Sequence, residues 1–536
     1  MPFLFSKSVW FTLPVRAVIL LLAVLTTCVY NFSFLKEIYE SDVSTWHFIQ
    51  TILLTTLSFA AIFCFVLWPK ITKPFICLWV ITNTIASYFV WFYNVPLDKI
   101  MMINVLETDR DETWELVGWE MIAYFFCWAV LPIILILKTR ILYFPWRKAL
   151  KIRFLFVSIV LAFLAVSMLP YRKELKDYLR ENFAVRYVLM PTSYISSLIG
   201  AIHILYIDDI PVVKVNQNPI VQRYWEKSGK KNLFVFVMGE TARNASFSLT
   251  GYTRKTNAPL EPFAKDMFVF SKTHSCATTT RLSVPCIFLH YTRETLKPRA
   301  VSYTKSVLDV LHENGYQVTW LENDSACKGL CRHIDVKVTC SDRNCYDENL
   351  VRSFVQMLPN IKEDSLFVLH QHGSHGPAYA NRYPPEMEIW SPVCRDPDLK
   401  DCSLEELRNV YDNTIYYTSH VLASLMTELE KMTDRFNPVL IYTSDHGESL
   451  GENGRYLHGG PWDEAPAVEK EVPFFVWMPA SSRQALGLDV ACFQQRLKVR
   501  QSHDNIFHSL LGLSGITIDL YDPRLDLFNG CLGQEF

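Results

Sequence analysis

No surplus of positive charge marks this 536-residue chain: 52 Lys and Arg stand against 54 Asp and Glu, a formal net charge of −2. Gripping a nucleic-acid backbone requires a basic excess, so that class of partner is not expected. Internal repeats and low-complexity tracts are also missing, which removes repeat arrays from consideration. The first apolar run is followed by no small-residue cleavage site and is too long for a signal peptide, so it reads as retained.

What the chain does have is apolar surface, unevenly spread. Half of its residues are hydrophobic, and long apolar runs crowd the first 170 positions. Five of them, 11–33, 46–68, 75–96, 118–137 and 153–170, approach the roughly 20 residues that cross a bilayer. The loops between them divide by charge. Segment 138–153 carries six Lys/Arg and no acid, whereas 97–117 carries six acids against Lys99 and Arg110. By the positive-inside rule the basic loops and the N-terminus lie in the cytoplasm, and everything after 170 lies outside.

Cysteine usage points the same way. Four of the 14 fall in the apolar runs, and ten lie beyond residue 270 as close neighbours: 276/286, 327/331, 340/345, 394/402 and 492/531. An even count outside the cytoplasm reads as disulfides. A zinc site at Cys327 and Cys331 lacks a second pair of thiolates nearby. Whether Cys492 and Cys531 pair is left open by the sequence.

Residues 171–230 mix charge with apolar residues at helical spacing and read as an amphipathic helical connector. From 231 onward, apolar β-branched and aromatic runs (232–240, 316–324, 365–376, 438–449, 472–479) alternate with helical stretches such as "TKSVLDVLHENG". That alternation predicts an α/β domain with a mostly parallel sheet over 231–536. Several strands run straight into ligand-type residues: Glu240, the stretch from His370 to His375, and Asp445–His446. Ligands bind beyond the carboxyl ends of strands in such sheets, so three distant segments converge on one edge.

The segment "SDHGESLGENGRYLHG" (444–459) concentrates Asp445, His446 and His458 among glycines. Its plain reading is a solvated polar loop. Together with Glu240 it offers the imidazole and carboxylate donors that suit zinc. A reacting group is offered by the threonines of "SCATTTRLSVPC" (275–286), because metal coordination activates a hydroxyl that is otherwise a poor nucleophile. A Thr-rich turn braced by a disulfide is the alternative.

Here a family resemblance becomes specific. "GET" at 239–241, Thr280 four residues after Cys276, "SVPC" at 283–286, "NDSACKG" at 323–329, "HQHGSHGPAY" at 370–379, Cys394, "YDNTI" at 411–415 and the 444–459 segment occur in one order and spacing. So does "NVLETDRDE" at 104–112 in the membrane half. The chain resembles the lipid A phosphoethanolamine transferases of the alkaline-phosphatase/sulfatase superfamily, the family of the mobile colistin-resistance enzymes.

That resemblance implies an alkaline-phosphatase-like α/β periplasmic domain behind five membrane spans (1–170) in a bacterial inner membrane. It implies one tightly bound zinc ion on Glu240, Asp445 and His446, with Thr280 as fourth partner and nucleophile; a second zinc is possible. His375 and His458 would contact the transferred phosphate, bind the second ion or protonate a leaving oxygen. Lys328 and Ser325 would contact the donor headgroup. Asn104, Thr108 and Glu112 fall at i, i+4 and i+8, one helical face, which alone would read as a solvated stripe; the resemblance turns it toward the donor's ammonium. Disulfides are expected at Cys276/Cys286, Cys327/Cys331, Cys340/Cys345 and Cys394/Cys402. The expected reaction moves phosphoethanolamine from phosphatidylethanolamine to a lipid A phosphate, releases diacylglycerol and confers polymyxin resistance, in a monomer surrounded by membrane lipids. Rival readings are a phosphoethanolamine or phosphoglycerol transferase acting on core-sugar or glucan hydroxyls, and a non-catalytic membrane sensor. A sulfatase lacks support because no Cys/Ser-x-Pro-x-Arg motif is present.

Overall fold

The computed structural model describes residues 9–40, 44–107, 113–114, 116–169, 183–207, 219–297, 300–301, 303–323, 327–339, 345–396 and 398–533. The chain forms two compact units, Met1–Val105 with Val117–Ala201, and Leu106–Leu116 with Ile202–Phe536.

Among the described residues of the first unit, four helices are long and apolar enough to cross a membrane: Thr45–Val66, Thr72–Tyr93, Trp119–Leu137 and Trp146–Met168. Val15–Tyr30 and Phe32–Glu40, bent by 58°, make a fifth if taken as one span. Asn31 sits buried at the bend and occupies the groups that the break frees. Its Nδ2 donates to the carbonyls of Thr26 (2.9 Å) and Met190 (3.0 Å), and its Oδ1 accepts from Met190 N (2.6 Å). Several hydroxyls inside the spans turn back on their own helix, as Thr56 does to Ile52 O at 2.8 Å, because lipid offers no partner.

One expected boundary moves. The last span was expected from 153, but its helix begins at Trp146, behind Pro145. Arg153 therefore lies inside the helix. Its guanidinium donates to Cys64 O (2.7 Å) and Leu67 O (2.6 Å) and stacks 4.0 Å from the Trp68 ring centroid, so the carbonyls at one helix end offset the burial of its charge. Of the expected connector, residues 170–182 and 208–218 lie outside the described residues; a helix spans Thr192–Ile202 between them.

The second unit is built on a seven-stranded sheet: β1 (Lys231–Gly239), β2 (Met267–Phe270), β3 (Gln317–Glu322), β4 (Asp335–Val338), β5 (Ser365–His370), β6 (Phe436–Ser444) and β7 (Phe474–Trp477). Their spatial order is β2-β7-β6-β1-β5-β3-β4. Only β7 runs against its neighbours. Central strands are apolar on both sides: Phe234, Phe236 and Met238 of β1 enter one core, Leu233, Val235 and Val237 the other. The Leu404–Glu430 helix covers the second core and starts at a capping box between Ser403 and Glu406. The helix expected after Ser306 spans Val307–Glu313, and Gly315 beyond it takes φ 92°.

Sheet register does the positioning. Ser444 pairs with Gly239, Met238 with His370, and His370 with Glu322. The residues that leave these strands at their carboxyl ends therefore stand in one row. Disulfides join Cys276 to Cys286, Cys327 to Cys331, Cys394 to Cys402 and Cys492 to Cys531. Cys340, expected to pair with Cys345, lies outside the described residues.

Candidate active site

Glu240 leaves β1 fully buried. The next residue, Thr241, holds φ at 52°, a left-handed conformation that costs a β-branched side chain on the order of 1–2 kcal/mol. Two hydrogen bonds hold it there: Thr241 N donates to Asp445 Oδ1 (3.1 Å), and Tyr411 Oη donates to Thr241 O (2.6 Å). Gly373 packs on the same turn. A Cβ there would lie 2.6 Å from Glu240 O, so no larger residue lets the 371–375 loop sit against Glu240.

Asp445 and His446 continue from β6. Asp445 Oδ1 also accepts from His446 N (2.7 Å), while its Oδ2 is buried with no hydrogen-bond partner among the described residues. His446 Nδ1 lies 2.9 Å from Gly447 O and donates its proton there, which leaves the Nε2 lone pair toward the carboxylates. Nε2 is 3.2 Å from Asp445 Oδ2 and 3.6 Å from Glu240 Oε1. Burial keeps this imidazole below its usual basicity, against the pull of Asp445.

Thr280 closes the group. It is the first residue of the Thr280–Phe288 helix, behind the extended Thr279. Its hydroxyl donates to Glu240 Oε1 at 3.1 Å and lies 3.3 Å from His446 Nε2. The loop that presents it is tied down by the Cys276–Cys286 disulfide and by Thr278 Oγ1 donating to Gly460 O at 2.7 Å.

Ligand atoms from Glu240, Asp445 and His446 all lie within 4.8 Å of one another. Two buried carboxylates and an imidazole lone pair, one oxygen lacking any donor, form a set that a divalent cation completes. These residues fit zinc.

His458 stands beside them, its ring centroid 4.2 Å from that of His446 and 5.6 Å from that of His375. Its Nδ1 lies 2.8 Å from Glu448 Oε2, and Tyr379 Oη donates to Glu448 Oε1 at 2.7 Å. Burial pushes the Glu448 carboxyl up to about 8, so it retains its proton at neutral pH. Neither Glu448 nor Tyr379 stood out in the sequence as a site residue, although both lie inside the quoted motifs. A second buried carboxylate–imidazole contact lies behind Glu240: His370 Nε2 is 3.6 Å from Glu240 Oε2, and its Nδ1 is 2.9 Å from Glu322 Oε1.

The remaining expected residues are less assembled. Lys328 is half-buried in the loop closed by Cys327–Cys331 and takes φ 47°. Asn104 is half-buried on the Lys99–Glu107 helix of the other unit. Ser325, Thr108 and Glu112 lie outside the described residues.

Comparison with known proteins adds independent findings. Residues 232–516 match the Sulfatase family model, and residues 55–206 match the model described as Phosphoethanolamine transferase EptA/EptB. Phosphoethanolamine transferase EptA of Escherichia coli K12 is 33% identical over 484 residues, 87% of this chain and 86% of that protein. Phosphatidylethanolamine transferase Mcr-1 of Escherichia coli is 30% identical, covering 96% of this chain and 98% of its own length. In structure, the integral membrane lipooligosaccharide phosphoethanolamine transferase A of Neisseria meningitidis superposes with a TM-score of 0.92 at 27% identity, covering 97% of this chain and 99% of that one.

Proposed function

The chain belongs to the phosphoethanolamine transferase family, and on that premise we propose that it carries phosphoethanolamine from phosphatidylethanolamine to a phosphate of lipid A by way of Thr280. The observation that carries this reading is the placement of Thr280 Oγ1 within 3.1 Å of Glu240 and 3.3 Å of His446. A hydroxyl with only a structural task has no need of both a buried carboxylate and a buried imidazole beside it. Donor and acceptor follow the similar proteins, one named a phosphatidylethanolamine transferase and one a lipooligosaccharide phosphoethanolamine transferase.

In the first half-reaction Thr280 Oγ attacks the donor's phosphorus. The Oγ–P bond forms, the bond from phosphorus to the diacylglycerol oxygen breaks, and the hydroxyl proton leaves along the hydrogen bond to Glu240. His458 gives its Nε2 proton to the departing oxygen while the Glu448 proton moves to Nδ1, so the imidazole stays neutral and Glu448 becomes the carboxylate. In the second half-reaction a lipid A phosphate oxygen attacks the same phosphorus. The Oγ–P bond breaks, Thr280 recovers its proton from Glu240, and the proton lost by the attacking phosphate hydroxyl restores the His458–Glu448 pair. Glu240, Asp445 and His446 would hold a zinc ion, which would supply Lewis-acid charge stabilisation at the phosphoryl oxygens. On this reading His375 contacts the transferred group, and Lys328 with Ser325 contacts the donor headgroup.

Both substrates are lipids, which gives the apolar N-terminal helices a chemical purpose: the enzyme works in the inner membrane, with its α/β domain in the periplasm. An added ammonium on lipid A lowers its negative charge and so weakens polymyxin binding. Mass spectrometry of lipid A from cells with and without the protein tests the reading. An added phosphoethanolamine mass supports it; unmodified lipid A alongside phosphoethanolamine on another glycan overturns the acceptor.

A further inference from the structure

His503 lies outside every motif read from the sequence, yet its buried ring joins two parts of the site. Cys276 N donates to its Nδ1 at 3.2 Å, and its Nε2 lies 2.9 Å from Ser444 O. These partners settle the tautomer. A backbone amide can only donate, so Nδ1 is the acceptor; a carbonyl can only accept, so Nε2 carries the hydrogen. One partner opens the loop that ends at Thr280. The other is the last residue of β6, immediately before Asp445 and His446.

Surrounding contacts give this bridge a direction. Gln501 and Ser502 pair in parallel with Thr273 and His274. The short ladder ends there, and the His503 side chain takes the next amide, that of Cys276, in place of a backbone carbonyl. Ser444 is itself a junction: its Oγ accepts from Ala242 N (2.8 Å), beyond Glu240, and donates to His446 O (2.9 Å). The Ser444 carbonyl that receives His503 therefore belongs to a residue already fixed to both ligand-bearing strand ends. The Cys276–Cys286 disulfide braces the nucleophile loop internally. It does not tie that loop to β6.

We propose that His503 is a positioning residue, which holds the nucleophile loop against the end of β6 so that Thr280 Oγ1 stays in register with Glu240 and His446. The proposal rests on the reading of Thr280 as nucleophile. An imidazole suits the task because it is rigid and offers one donor and one acceptor on opposite sides of a ring. Losing the bridge leaves the buried Cys276 amide without its acceptor, leaves Ser444 O with only the longer 3.4 Å hydrogen bond from Thr443 Oγ1, and lets the loop drift. A displacement near 1 Å at the attacking atom costs about 100-fold in rate.

The test uses the full-length protein in phosphatidylethanolamine vesicles and reads three quantities: bound zinc, melting temperature and the single-turnover rate of phosphoethanolamine appearing on Thr280. His503→Leu removes both hydrogen bonds, and His503→Gln restores a donor and an acceptor. Expected are unchanged zinc content in both, a 10- to 100-fold slower rate in the Leu variant, and recovery to within about fivefold of wild type in the Gln variant. Should the Leu variant fail to fold, His503→Phe, which keeps the ring but not the nitrogens, is judged by the same rate criterion. A folded Leu or Phe variant reacting within threefold of wild type overturns the proposal, as does a Gln variant no faster than Leu. Absence of phosphoethanolamine on Thr280 in the wild type is a separate result, and it sinks the nucleophile reading instead.

Discussion

Glu448 Oε2 and His458 Nδ1 lie 2.8 Å apart in a pocket that Tyr379 closes from the other side. That contact decides which imidazole nitrogen is left for a substrate. Glu448→Ala should slow diacylglycerol release by about two orders of magnitude, the scale of a general acid. Glu448→Gln should retain more activity, because its amide can donate to Nδ1 as the protonated acid does. Equal rates in the Ala variant and wild type would remove His458 from proton transfer.

Thr280→Ala should fold, keep zinc through the three other ligands and form no covalent intermediate. Thr280→Ser keeps the hydroxyl and should keep part of the rate. Intact-protein mass after incubation with phosphatidylethanolamine is the measurement, and an adduct persisting in the Ala variant would falsify the mechanism.

Asp445 supplies an oxygen with no hydrogen-bond partner among the described residues, so its contribution belongs chiefly to the cation. Asp445→Asn should leave the backbone contacts of Oδ1 in place yet lose stoichiometric zinc at micromolar free metal. Chelation of the wild type should abolish transfer, and added zinc should restore it only where Asp445 is intact. Zinc retained at full stoichiometry by the Asn variant would count against the assigned ligand set.

Acid should destabilise the α/β unit through two neutral histidines. Burial lowers both His503 and His508 from about 6.5 to about 4. Between those values the unfolded chain binds protons that the folded chain refuses, so stability is full above about pH 6.5 and falls as pH drops toward 4. For the fully buried His503 the gap corresponds to roughly 3 kcal/mol. Denaturant titrations of the full-length protein at pH 7 and pH 4.5 should show this loss, reduced in His508→Asn. A pH-independent midpoint contradicts it.

Glu112→Ala should slow donor use by about one to two orders of magnitude, if a charge-assisted hydrogen bond of roughly 1.5–3 kcal/mol to the ammonium is expressed in the transition state. Zinc content and expression should not change. A variant as fast as wild type leaves Glu112 with no part in donor recognition.

Much of this was readable beforehand because apolar strands ending in Glu, His and Asp can be seen in one dimension. β1, β5 and β6 each end within a residue or two of a ligand-type side chain, and register alone brings those ends together. Strand direction was not readable: the composition of β7 suits either orientation, and only its pairing with Leu440–Thr443 shows it antiparallel. Nor was the start of the last membrane helix, since Arg153 reads as loop until Cys64 and Leu67 offer it carbonyls. His503 was hidden for a related reason. Its partners are backbone atoms some 60 and 230 positions away, and a backbone partner leaves no residue-type signature.

The row of strand ends also makes the cation part of the folding equilibrium. Glu240 and Asp445 are about 200 residues apart in sequence and meet only when β6 has paired with β1. An unfolded chain cannot present them together, so whatever free energy the ion gives on binding is added to the stability of the folded state. With the proposed zinc site, metal supply would set more than the catalytic rate: when zinc runs short, the α/β unit should unfold more often and meet proteases sooner, and the amount of enzyme should fall along with its activity.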